Sequence, residues 1–435
     1  MGTRRLAFAG IAIATATALL TACSQGSATN ADAGSGSTGA GGSVTLKFQS
    51  LQDQPQAVEA VKGIVDSWNT KHPEAKVEIV QAGWDGVYDK LVTQFNGNAA
   101  PDIIHYEAAS IVPFARDGYL ADLTSKVPAD LKSDVSDGIW KSVTVDNKIV
   151  GMPTELQTYV VFANKKLLDA AGVAVPTGDS MTLEQFRQIA KATTKAGGFG
   201  VAWGLKSPTA TFMSLGLGSN GTYFTGTGKD AKINVAAGEM TVPKLVKYMA
   251  YTDKSIDPVS LTQSGSQALA SFYAGKAAMT VQGSFQAANI KKDAPAGFDW
   301  VELPPLAGSA GTAQAANPQT LSVNADSPNA DKAAEFVAYF AGAENMAKLN
   351  QADALIPASK KAQDLILQQT GGKDGWDMTM KSAQGLTGAP FLTVDAYTQW
   401  KDTVATPNYQ KYLANQLDDA GLQKALSDGF TQVNR

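Results

Sequence analysis

Between Val44 and Glu107 the chain changes its hydrophobic period four times, and that alternation leaves few folds open. Val44-Thr45-Leu46-Lys47-Phe48 alternates apolar and polar, the period of a half-buried strand. A helical stripe of Val58, Val61, Val65 and Trp68 follows and stops before Pro73. Lys76 to Val80 alternates again, with Val77 and Ile79 inward. Val87, Leu91 and Phe95 form a second helical stripe, with Gly97 as its C-terminal stop. Pro101-Asp102-Ile103-Ile104-His105-Tyr106 is a third strand. Strand, helix, strand, helix, strand predicts an α/β fold with a parallel sheet covered by helices.

The pattern continues downstream. Thr182 with Gln185 three residues on is a capping box, opening a helix through Phe186 and Ile189. Ala278 to Gln282 reads as a strand leading into Gly283-Ser284-Phe285, and Thr320 to Val323 as another. Pro328 opens a helix with Ala333, Phe336, Val337 and Phe340 on one face. The sequence has no repeat of fixed period, which argues against solenoids and propellers.

The N-terminus predicts export. Arg4 and Arg5 precede a charge-free apolar run from Leu6 to Leu20, short for a membrane span of roughly 20 residues but right for a signal peptide. The run ends in Leu20-Thr21-Ala22-Cys23, similar to the lipobox of bacterial lipoproteins. Cys23 is the chain's one cysteine, and its thiol is the expected site of lipid attachment; the other reading is a buried free thiol behind an ordinary signal peptide. The general secretory route is expected, since Arg4-Arg5 alone makes a poor twin-arginine signal. Residues 1–22 are then a signal peptide. Residues 23–43, rich in Gly, Ser, Ala and Thr with only Asp32 charged, form a flexible tether with a span of about 25 Å.

Composition removes several functions. Net charge is −4, so there is no basic field for nucleic acid. Two histidines and one cysteine leave little for a metal site, and none is expected, nor any cofactor. Gly-x-Ser-x-Gly is absent, Gly226-Thr227-Gly228-Lys229 lacks the spacing of a phosphate loop, and His72 and His105 offer few routes to a triad. A glycosidase needs only two carboxylates, which the 40 acidic residues do not exclude.

Ligands of open α/β sheets sit beyond the C-terminal strand ends. Those ends deliver Gln49 and Ser50, then Trp84 in the glycine-framed Gly83-Trp84-Asp85-Gly86, then Tyr106 and Glu107. Trp68 lies on a helical stripe and is assigned to the core, while Trp203 and Trp376 stay open as cleft candidates. His105, within a strand, is read as a satisfied core group, and His72 as a solvated helix end.

Five blocks in order carry a family resemblance. They are Pro101-Asp102-Ile103-Ile104 with Gly118-Tyr119-Leu120-Ala121-Asp122-Leu123-Thr124; Lys148-Ile149-Val150-Gly151-Met152-Pro153; Asn164-Lys165-Lys166-Leu167-Leu168; Phe272-Tyr273-Ala274-Gly275-Lys276-Ala277-Ala278-Met279 with Gly283; and the segment around Ser327-Pro328-Asn329. Behind a lipobox, these resemble the extracellular solute-binding proteins of ABC importers, in the branch of the maltose-binding protein. The resemblance covers about 44–361; the last 70 residues match poorly. It implies a two-lobed periplasmic-binding-protein-like fold with a ligand cleft between the lobes. The expected lobes are 44–155 plus 322–362, and 158–318 plus 365–435, with hinges near 155–158, 318–322 and 362–365.

The resemblance also assigns residues. Tyr106 sits where relatives place a sugar-stacking aromatic, although it can equally be a core aromatic at a strand end. Gln157 stands where relatives often carry a carboxylate, and Ser284-Phe285 where they often carry Trp. Tyr159 faces either cleft or sheet, and Asn317 and Gln319 flank Pro318 at a crossover. A carbohydrate needs aromatic platforms and neutral or acidic hydrogen-bonding groups of this kind. Net charge across this set is low, so affinity is expected to depend little on salt.

The resulting expectation is a monomeric, non-enzymatic, lipid-anchored binding subunit on the outer face of the cytoplasmic membrane, passing a mono- or oligosaccharide to ABC permease subunits. The alternatives are another polar solute, such as a glycerophosphodiester or polyol, an extracellular carbohydrate-active hydrolase, and a surface adhesin. If Cys23 carries the lipid, Cys23→Ala releases the protein from the membrane fraction with ligand affinity intact. Wild-type protein wholly in the soluble extracellular fraction would contradict the anchor.

Overall fold

The computed structural model describes residues 43–195 and 197–435; the expected signal peptide, Cys23 and all of the tether but Ser43 lie outside the described residues. The elements that position the cleft, in chain order, are β1 (Val44–Ser50), α1 (Pro55–Lys71), β2 (Ala75–Gln81), α2 (Val87–Asn96), β3 (Ile103–Glu107), α3 (Ala108–Arg116), β4 (Met152–Leu156) and β5 (Tyr159–Asn164). They continue with α4 (Leu183–Thr193), β6 (Phe199–Trp203), β7 (Ala277–Gly283), β8 (Trp300–Glu302), β9 (Gln319–Val323), α5 (Ala330–Phe340), α6 (Ala343–Asp353) and β10 (Ile356–Pro357).

Two sheets organise these elements. The first runs β10-β4-β9-β3-β1-β2 and the second β8-β5-β7-β6. β1 pairs in parallel with β2 and β3, as the alternating pattern predicts. β9 enters antiparallel between β3 and β4. In the second sheet β7 lies parallel to β6 and antiparallel to β5.

Each strand sends alternate side chains to opposite faces, and both faces are covered. In the first sheet Leu46, Phe48 and Ile103 pack with α1 and α5 through Val61, Trp68, Phe336 and Phe340. Trp68 also donates its indole N–H to the Ala75 carbonyl at 2.7 Å, which locks α1 to the start of β2. His72 caps α1 and stacks on Trp68, with ring centroids 3.7 Å apart. On the opposite face Ile104 and Tyr106 pack beneath α2 and α3 with Leu91, Phe95 and Phe114. In the second sheet Val161 and Ala163 face one core while Val160 and Phe162 face the other.

The chain passes from the first sheet to the second between Leu156 and Tyr159 and returns between Glu302 and Gln319. The third passage differs from the sequence expectation. Ala362, Ile366 and Met380 remain in the first sheet's core, and the chain joins the second core only from Ala389 onward. The helix Lys360–Thr370 supplies these residues: it buries Ala362 and Ile366 one turn apart, so its apolar face holds it against the first sheet. Trp400, Tyr409, Leu426 and Phe430 from the poorly matching C-terminal segment complete the second core.

The capping box at Thr182 and Gln185 is present. The helix it opens, α4, presses on β6 so closely that a Cβ on Gly200 would lie 2.0 Å from the Ala190 carbonyl oxygen. Gly200→Ala must displace backbone, so the expected loss is about 1–3 kcal/mol or more. Urea denaturation compared with wild type measures it, and an unchanged midpoint would show that α4 is free to shift.

Candidate functional site

A cleft of about 410 Å³ opens between the two sheets. The first sheet contributes the ends of its strands and the loops that follow them: Gln52, Asp53 and Gln54 after β1, Trp84 after β2, Glu107 at the end of β3, Glu155 and Leu156 on β4, and Gln319 on β9. Asp353 and Leu355 come from the end of α6. The facing wall brings Tyr159, Phe285, Phe391, Tyr397 and Lys401.

Of the residues expected at the site, Trp84, Glu107, Gln157, Tyr159, Phe285, Asn317 and Gln319 line this cleft. Gln49, Ser50, Tyr106 and Ser284 do not. The first pair is displaced because β1 runs on through Ser50, which buries both and leaves Gln52 to Gln54 as the loop at the strand end. Tyr106 shares a face with Ile104, two residues back, so it turns into the core beneath α2 and α3. Ser284 is buried and accepts a hydrogen bond from the Thr158 amide at 3.3 Å, pinning a crossover. Trp203 is a core residue at 2% exposure, and Trp376 lines a separate hollow.

A hydrogen-bond chain fixes the floor. Gln52 donates its amide to Glu155 at 2.5 Å. His105 accepts from the Leu51 amide through Nδ1, and its Nε2 lies 2.6 Å from Gln319 Oε1. It is the core group the sequence suggested, and Nε2 must carry the proton, since an amide oxygen only accepts. Asn317 donates to Glu107 at 3.0 Å, and Ser110 donates to the other oxygen at 3.1 Å. Trp84 stands edge-on to His105 with centroids 5.7 Å apart, which sets its ring at the rim.

The missed residues change the electrostatics. The lining holds Asp53, Glu107, Glu155 and Asp353 with Lys401, so it carries more carboxyls than the sequence suggested. Burial pushes the Glu155 carboxyl well above its usual range, and nearby Asp353 adds to the rise. Asp353 is itself raised to about 7, by burial first and by Asp53 second. Desolvation lowers His105 to about 4, leaving it neutral. A Gln52-Asp53-Gln54 run after a strand was a usable signal for three of these residues; Asp353 and Tyr397 had none.

The profile of the bacterial extracellular solute-binding proteins matches residues 51–347. The chain belongs to this family. This solute-binding protein is 37% identical over 97% of its length to an uncharacterized lipoprotein in the oleD 5′ region of Streptomyces antibioticus, covering 91% of that protein. It is 25% identical to the maltodextrin-binding protein MdxE of Bacillus subtilis, over 80% of this chain and 86% of that one. The GacH receptor of Streptomyces glaucescens, solved unliganded and with acarbose, has the same fold: TM-score 0.74, 21% identity, 90% of this chain and 98% of that one. The family, the maltodextrin relative and the GacH receptor are all ligand-binding proteins by name.

Because Glu155 is raised in the folded state, that state holds its proton more tightly than the unfolded chain does. Stability is therefore lost as pH rises from the ordinary carboxyl range through the folded value. His105 acts oppositely, losing stability as pH falls from about 6.5 toward about 4, and is common to wild type and variant. The melting temperature of Glu155→Gln should thus rise relative to wild type as pH increases above the ordinary carboxyl range. A difference that does not change with pH would mean that Glu155 titrates as an ordinary carboxyl.

Proposed function

We propose that this solute-binding protein captures an oligosaccharide between its two lobes outside the membrane and delivers it to the permease of an ABC importer. The observation that carries the reading is the cleft itself. Trp84, Phe285, Tyr159 and Tyr397 offer aromatic faces from both walls, and Gln52, Gln157, Asn317 and Gln319 offer hydrogen bonds between them. Flat apolar faces interleaved with donors and acceptors suit the C–H faces and hydroxyl ring of a sugar. The maltodextrin and acarbose ligands of the relatives support the same class. The acidic lining weighs against an anionic solute such as a glycerophosphodiester.

Within this reading the protein is a monomer tethered through a lipid on Cys23. Its lobes are the bodies built on the two sheets, and the three passages between them are the hinge. α3 of the first body meets the 390–397 segment of the second, where Arg116 bonds Asp395 at 3.2 Å. Bound sugar contacts both walls, so it favours the closed arrangement by its differential affinity.

A thermal-shift screen across a sugar panel identifies the ligand, since a solute that binds only the folded state raises the melting temperature. Calorimetry then tests the walls. Trp84→Ala and Phe285→Ala should each weaken binding by about 1–3 kcal/mol. Wild-type affinity in both folded variants would mean that this is not the sugar-binding surface. Small-angle scattering should show a smaller radius of gyration with saturating ligand than without.

A further inference from the structure

The cleft floor carries a charge imbalance that a neutral sugar leaves uncompensated. Glu155 is 1% exposed and lines the cleft; its carboxyl meets that of Asp353, and no protein N–H or hydroxyl donates to its Oε1. Its other oxygen accepts from Gln52 and lies 4.0 Å from His105 Nε2. His105 is neutral and its Nε2 proton is committed to Gln319, so it supplies no countercharge. Asp353 approaches from α6, and Asp53 from the loop after β1. Among the described residues, no Lys or Arg nitrogen lies within 4.0 Å of Asp53, Glu107, Glu155 or Asp353.

We propose that the cleft selects a saccharide bearing a basic nitrogen, an amino sugar or an amine-linked oligosaccharide, whose ammonium group sits against Glu155 and Asp353. The inference rests on the carbohydrate reading above and narrows it. In the free protein the two buried carboxyls hold a proton between them, because two ionised carboxylates in one dry site repel each other. An ammonium group reverses that balance. Its N–H groups take the place of the shared proton between Glu155 and Asp353, its charge stabilises both carboxylates, and that proton leaves to solvent. A hydroxyl can donate to Oε1 as well, but it brings no charge, so the pair stays protonated. Discrimination therefore depends on the ionisation of the floor and not on the aromatic walls, which accept either sugar.

The test is calorimetry on matched pairs: maltotriose and cellotriose, each against its 2-amino-2-deoxy and 6-amino-6-deoxy counterparts. At about pH 7 and low salt an amino form should bind at least about tenfold more tightly than its neutral parent. The advantage should shrink at about pH 5, where the carboxyls protonate, and fall with added salt. Runs in buffers of different ionisation enthalpy should show proton release with the amino form and none with the parent. In Asp353→Asn the ratio of amino to neutral affinity should collapse; should that variant not fold, the wild-type proton release and pH profile decide. Equal or weaker binding of every amino form at about pH 7 overturns this inference and leaves the carbohydrate reading standing. Failure of every sugar, neutral or amino, to bind overturns the carbohydrate reading and this one with it.

Discussion

The whole arrangement depends on one knot of hydrogen bonds where the three passages between the sheets converge. Thr158, 1% exposed, lies in the first passage. Its carbonyl accepts from the Ser284 amide at 2.8 Å, its amide donates to the Ser284 hydroxyl, and its own hydroxyl meets that of Ser382 at 2.5 Å. Next to it, Gln314 on the second passage brackets Tyr159, accepting from its amide at 2.7 Å and donating to its carbonyl at 3.0 Å. Residues 314–315 then pair with 386–387 of the third passage. Buried backbone groups at a crossing have no sheet partner, so each must be satisfied by such side chains. The same satisfaction holds the three passages together in one place.

Beside that knot the cleft residues come from strand ends and from the loops that follow them. β3 and β7 are buried along nearly all their length and β1 from Phe48 to Ser50; the cleft takes Glu107 from the end of β3, Gln52 to Gln54 from the loop after β1, and Phe285 just beyond β7. Sites carried on strand ends inherit the precision of the sheet, while the loops beyond them adjust to the ligand. Trp84 and Phe285 stand on such loops at opposite rims, and Glu155 lies within a strand at the floor. Placing a carboxylate at 1% exposure without a cation lowers stability, and a binding protein tolerates that loss where a ligand later offsets it.

Much of the fold was legible in the sequence. The period changes from Val44 to Glu107 give β1, α1, β2, α2 and β3 in order, with parallel pairing of the first three strands. The capping box at Thr182 marks α4 because its chemistry lies within one turn. The strand end after Phe48 was harder to locate. Gln49 and Ser50 are polar, and hydropathy alone does not distinguish a polar residue buried within a strand from one in the following loop, so the cleft residues were placed two or three positions early. The third passage escaped for a related reason. The helix Lys360–Thr370 is amphipathic whichever core it covers, and only packing assigns Ala362 and Ile366 to the first sheet.

The sequence by itself determined the class of this protein and the residue types of its site. Local periodicity, turn chemistry and five ordered motifs fix an α/β solute-binding chain with aromatic and amide groups at strand ends. Tertiary structure alone decided the charge of the cleft. Asp53, Glu155 and Asp353 lie on a loop, a strand and a helix that are far apart in the chain, and only the crossing of β4 through the first sheet brings them together. Each reads locally as an ordinary carboxylate. Burial and mutual repulsion, which exist only once they meet, make Glu155 and Asp353 a pair that resists ionising.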